Sequence, residues 1–79
     1  MKVQHLNTYR VLPALLKEMR EKTGMTQRDL AKALSKPQSY IYNCEVANRR
    51  VDITEFVLWA RACEIDPKKA FSKLLKELE

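Results

Sequence analysis

The chain has 79 residues, 46% of them hydrophobic and 32% charged, and its fifteen Lys and Arg against ten Asp and Glu leave a net charge of +5. That length holds one domain with one small core, and so mixed a composition excludes a disordered tail. No apolar run approaches the roughly 20 residues of a membrane-spanning helix, and the basic surplus favours a polyanionic partner.

Residues 1–79 read as a single domain with a core over about 9–78 and a loose segment at 1–8. Gln4, His5, Asn7, Thr8 and Arg10 interrupt the start, so it does not resemble a secretory leader, and cytoplasmic residence is expected. The first helix is expected from about Tyr9 to Thr23, with Leu12, Leu15, Leu16 and Met19 as one apolar stripe. Pro13 falls in its first turn, where a missing N–H is tolerated. Gly24 can take the left-handed conformation that closes a helix. Thr26, with Asp29 three residues on, then caps a second helix from Gln27 to about Leu34. Leu30, Ala31 and Leu34 face inward on it, Arg28, Asp29 and Lys32 outward, and the small Ala31 lets the next helix cross closely.

The third helix starts at Pro37 or Gln38, proline being favoured at the first helical position, and runs to Glu45 or Val46. Beyond the loop at 47–51, Asp52 and Glu55 are spaced as a capping box, which starts helix four near Ile53. Ile53, Phe56, Val57, Trp59, Ala60 and Cys63 are expected to face inward. Asp66 as cap and Pro67 at the first position start helix five, which presents Ala70, Phe71, Leu74, Leu75 and Leu78. Lys68, Lys69, Lys73 and Lys76 are its solvated face. Strand-like alternation is missing throughout, so the fold class is all-α with five helices.

Chemistry concentrates on the third helix. Gln38, Ser39, Tyr42 and Asn43 lie on one side of it, and Ile41 and Cys44 fall on the other at helical spacing. Polar amides on a helix are ordinarily just solvated. Here the helix follows a short partner and a turn, as in a helix-turn-helix, where side-chain amides meet adenine edges with a donor and an acceptor together. Charge agrees with that placement, since residues 26–50 hold five basic residues and two acidic ones. Cys44 and Cys63 lack metal spacing and read as buried free thiols, and the single His5 has no companions for a metal or catalytic role. Neither a nucleophile beside a base nor a phosphate-cradling glycine loop is present, so an enzyme is not expected, nor is a cofactor.

The chain resembles the lambda-repressor-like, or XRE-family, helix-turn-helix domains of bacteria and their phages. The carriers are Leu16-Lys17-Glu18-Met19-Arg20 with Gly24, Met25-Thr26-Gln27, Leu30-Ala31, Gln38-Ser39-Tyr40-Ile41, Glu45 and Ile53-Thr54-Glu55-Phe56-Val57, over roughly residues 12–71. The resemblance implies that Gln38, Ser39 and Asn43 face base edges with Tyr42 beside them at the groove wall. It implies phosphate contacts from Gln27, Arg28, Lys36, Tyr40, Asn48, Arg49 and Arg50, with Gln27 also bracing Gln38. On this basis loss of Arg49 would flatten the salt dependence of binding by about one counterion. The implied partner is a pseudo-palindromic double-stranded operator bound by a homodimer.

Three positions depart from the family pattern. Ser35 stands where the turn between helices two and three usually has glycine, so a left-handed backbone is expected there. Ala47-Asn48 replaces the glycine after the reading helix, with Asn48 the more tolerant of positive φ. Leu58 stands where the family is usually polar. It is either a lone exposed leucine or, with part of the Val51-Ile53 and Phe71-Leu75-Leu78 surface, a homodimer patch. The function expected is a sequence-specific transcriptional regulator, a repressor by family habit. The alternatives are an activator like the restriction-modification controllers, and an antitoxin-like protein that neutralises a protein partner.

Overall fold

A computed structural model of the chain describes residues 7–79. Five α-helices follow a short 3-10 turn at Asn7–Arg10: α1 (Val11–Lys22), α2 (Gln27–Leu34), α3 (Gln38–Glu45), α4 (Ile53–Ala62) and α5 (Pro67–Glu77). His5 and positions 1–6 of the expected loose segment lie outside the described residues, whereas Asn7 and Thr8 belong to the turn. The first helix thus begins later than its apolar pattern suggests. Pro13 is the reason: its ring obstructs the carbonyl four residues back, at Tyr9, so the α-helical ladder does not extend to that residue.

One core serves all five helices. Leu15, Leu16 and Met19 of α1 meet Leu30 and Ala31 of α2, Ile41 and Cys44 of α3, Phe56, Trp59 and Ala60 of α4, Cys63 just beyond it, and Ala70 of α5. Trp59 is fully buried, and its indole N–H donates to the Leu16 carbonyl at 3.0 Å, which satisfies the one polar group so large a core side chain brings in. Both thiols are buried and unpaired, and burial pushes Cys63 up to about 11. An ion pair between Lys73 and Glu18 ties α5 to α1 at the surface.

Among the described residues four left-handed ones close helices, and one of these is glycine. At Gly24 (φ 77°) the chain turns with Met25 N–H on the Arg20 carbonyl and Gly24 N–H on that of Glu21. The same pattern recurs at Ser35 (φ 55°) after α2 and at Glu64 (φ 57°) after α4. After α3 the positive φ falls on Ala47 (65°), not on Asn48. Asn48 instead returns its N–H to the Asn43 carbonyl at 2.9 Å, which requires the residue before it to be the left-handed one. Pro37 precedes α3 as its N-cap residue, so Gln38 takes the first helical position.

Helix α4 corrects another expectation. Ile53 is 64% exposed, because the first helical residue projects ahead of the turn that packs on the core, and Val57 is half-buried. Leu34 on α2 is likewise half-buried. Among the described residues no helix is long and apolar enough to cross a membrane.

Candidate nucleic-acid interface

Helices α2 and α3 form one unit. Thr26 caps α2 with a reciprocal box: its hydroxyl accepts from Asp29 N–H at 3.0 Å and its own N–H donates to the Asp29 carboxylate at 2.9 Å. The left-handed turn at Ser35 then sends the chain into Pro37, whose extended backbone starts α3. A shallow hollow lined by Thr26, Gln27, Arg28 and Gln38 lies where the starts of the two helices meet.

A hydrogen-bonded chain runs from the core to that hollow. The Arg20 guanidinium on α1 grips Glu45 at the end of α3 with two bonds, 2.6 Å from Nε and 3.0 Å from Nη2, and gives a third to the Met25 carbonyl at 2.8 Å. Both residues are buried, and two-point pairing offsets much of the cost of taking the charges from water. Gln27 then donates from Nε2 to Glu45 Oε1 at 3.0 Å, which orients its amide. Its Oε1 consequently faces Gln38, whose Nε2 approaches at 3.5 Å, the long end of hydrogen bonding. Sequence reading linked Gln27 to Gln38; the supporting Arg20–Glu45 pair escaped it, because no local spacing connects residues 25 positions apart.

A second cluster occupies the other end of the face. The Tyr40 ring has the Lys36 ammonium 5.2 Å and the Arg49 guanidinium 4.7 Å from its centroid. The Tyr40 hydroxyl donates to Glu55 Oε2 at 3.0 Å. Arg49 clasps the same carboxylate with 3.1 Å and 2.9 Å contacts and donates to the Arg50 carbonyl at 2.8 Å. The hydrogen bond from Arg49, reinforced by the Asp52 N–H and the Tyr40 hydroxyl, holds the Glu55 carboxyl down at about 2. Desolvation raises the Tyr40 phenol well above its ordinary value, and its bond to Glu55 adds to this. Sequence reading assigned Glu55 no role at this face; it marked it as the cap partner of Asp52, which it also is, accepting the Asp52 N–H at 2.9 Å.

The remaining candidates surround these clusters. Gln38, Ser39 and Tyr42 are exposed on α3 and Asn43 is half-buried, its side-chain oxygen accepting from Asn48 Nδ2 at 3.4 Å. Gln27 and Tyr40 are half-buried, and Arg28, Lys36, Asn48, Arg49 and Arg50 are exposed. Leu58, Phe71, Leu75 and Leu78 are all exposed, but they do not share one hollow. An apolar groove between α4 and α5 is lined by Ile53, Phe56, Val57, Pro67, Lys68 and Phe71, and Leu58 is not among them.

Two helices joined by a left-handed turn, the second buried on one side, polar on the other and braced from the first, define a helix-turn-helix protein of the DNA-binding transcription regulator class. A family model described as helix-turn-helix matches residues 16–69. An XRE-family-like protein from Pseudomonas syringae pv. tomato str. DC3000 is 39% identical, with 95% of this chain and 92% of that one covered and a TM-score of 0.84. The wild-type restriction-modification controller protein C.Esp1396I is 27% identical, with 92% of this chain and 95% of that one covered and a TM-score of 0.82. The same controller as a tetramer in complex with its natural 35 base-pair operator superposes with a TM-score of 0.81, at 27% identity over 92% of this chain and 96% of that one. No curated protein matches the sequence. The chain belongs to the XRE family of helix-turn-helix proteins.

Proposed function

We propose that this chain is a sequence-specific operator-binding regulator that inserts α3 into the major groove as one half of a homodimer. The observation that carries this reading is the Arg20–Glu45–Gln27–Gln38 chain, which holds an exposed amide in a set orientation at the start of α3. A preoriented amide is what two-point contact with an adenine edge needs. Gln38, Ser39, Tyr42 and Asn43 are the base-reading set in this proposal. Gln27, Arg28, Lys36, Tyr40, Asn48, Arg49 and Arg50 contact phosphate and fix the register. The operator complex of the controller protein C.Esp1396I, which shares this fold, supports the choice of double-stranded DNA and of an oligomeric reader.

The mechanism is occupancy. Two copies related by a two-fold axis would place their α3 helices in successive major-groove faces, about one helical turn apart, and block a promoter they overlap. The protein acts in the cytoplasm and carries out no catalytic step. A second reading, activation from an upstream site by a controller-like protein, would use the same interface.

Selection of bound sequences from a random duplex pool tests the proposal directly. A two-fold symmetric motif is expected, and a pool that stays random at physiological salt would refute base reading. Placing the selected site over or upstream of a reporter promoter then separates repression from activation.

A further inference from the structure

Glu55 is an acidic group set among the proposed phosphate-contacting residues, and capping does not account for its charge. A glutamine at the third position of a helix serves a capping box as well as a glutamate. What the carboxylate adds is its grip on other groups. Three hydrogen bonds converge on it, one each from Arg49, the Tyr40 hydroxyl and the Asp52 N–H, and Arg49 adds a second ion-pair contact. Its side chain is only 18% exposed whereas that of Arg49 is 43% exposed, so the cation faces outward with the anion held directly beneath.

We propose that Glu55 is a positioning and charge-masking residue of the DNA interface: it fixes Tyr40 and Arg49 as one platform and cancels the charge of Arg49. Arg49, its side chain partly exposed, then orients the protein on the duplex without adding to sequence-independent affinity. The inference rests on the DNA-binding reading above, and it revises the role that the sequence alone assigns to Arg49. Non-specific affinity for DNA comes from net positive charge that displaces counterions from phosphates. An arginine whose charge is matched by a carboxylate in two-point contact displaces none on balance. Masking one cation lowers affinity for every duplex alike and leaves the amide contacts of α3 a larger share of the binding energy.

The test is the salt dependence of binding to one random and one selected duplex, for the native chain, Glu55→Gln, and the double variant Glu55→Gln with Arg49→Ala. Glutamine keeps the cap by accepting the Asp52 N–H at its one carbonyl oxygen and turns its amide N–H toward the Tyr40 hydroxyl oxygen, and the double variant leaves no unpaired charge, so a folded protein is expected in both; circular dichroism melts check it. Glu55→Gln unmasks Arg49 and should steepen the slope of log K against log salt by about 0.9 on both duplexes. Between about 50 and 200 mM salt it then loses about 3.5-fold more affinity than the native chain loses. The double variant should return to the native slope.

The proposal is overturned if Glu55→Gln leaves the slope unchanged and the double variant falls about 0.9 below it, because Arg49 would then have left Glu55 to neutralise a phosphate. A Glu55 that served only the fold would change melting and leave every slope alone. Failure of the native chain to bind either duplex at low salt is a different result, and it would remove the DNA-binding reading and this inference together.

Discussion

Gln38 carries the sharpest prediction at the scale of single residues. Replacing it with Ala should cost about 1–3 kcal/mol on the selected operator and little on random duplex, since one base pair notices the change. Equal losses on both would show that it reads no base. Gln27→Ala tests the brace: the Gln38 amide loses its oriented neighbour, so operator affinity should fall while discrimination at the position read by Gln38 relaxes. Ser35, Ala47 and Glu64 hold a left-handed backbone that costs an L-residue roughly 1–2 kcal/mol. Ala47→Gly should therefore stabilise the fold by up to about 1 kcal/mol once the added freedom of the unfolded chain is subtracted, seen as a higher urea midpoint. The left-handed turn at Ser35 was legible from its place between two helices. That Ala47 and not Asn48 takes the positive φ was not, because residue preference pointed to asparagine and the closing hydrogen bond to the Asn43 carbonyl decided otherwise.

Helices here are held at their ends as much as along their lengths. The boxes Thr26/Asp29 and Asp52/Glu55 start α2 and α4, and Thr26→Ala should cost about 0.5–2 kcal/mol in chemical denaturation. Capping boxes are written in four consecutive residues, which is why both were legible. The end of α3 is held differently, by the buried pair of Glu45 with Arg20, and Glu45→Ala should destabilise by about 3–5 kcal/mol because it strands a buried guanidinium. Glu55 gives α4 a pH dependence. Its folded value of about 2 lies below the ordinary 4.5, so its contribution is complete above about pH 4.5 and is lost as the pH falls toward 2. Urea midpoints measured across that window should decline less steeply for Glu55→Gln than for the native chain.

At the scale of the whole molecule, exposed apolar surface is the open feature. Phe71, Leu75 and Leu78 extend along α5, and Phe71 with Ile53 borders the groove against α4. A domain with so little core is expected to cover such a face, and the proposed homodimer would do so if a second copy packs there. Phe71→Lys should convert an oligomer to a monomer in sedimentation equilibrium without loss of helix content, and should make operator binding weaker and less cooperative. A native chain that is already monomeric, on and off DNA, would rule out the homodimer. Leu58 is 49% exposed yet stands outside the groove, so Leu58→Lys distinguishes a lone surface leucine from a member of the interface by the same measurement.

The sequence by itself determined the five helices, most of their boundaries and the core-facing stripes of α1 and α3, because helical period, caps and proline positions act over a few residues. It also placed Gln38, Ser39, Tyr42 and Asn43 on one polar helix after a turn, and the family resemblance gave that helix its expected role. Tertiary structure alone decided which charges meet. Arg20 with Glu45, and Arg49 with Glu55 and Tyr40, are joined only when α1 packs against α3 and α4 returns beside them. It also decided that Ile53 faces outward, since a helical period specifies a stripe and only the packed neighbours determine how much of it they cover. Ion pairing between distant segments leaves no periodic signal in a chain, and so these pairs became visible only in the fold.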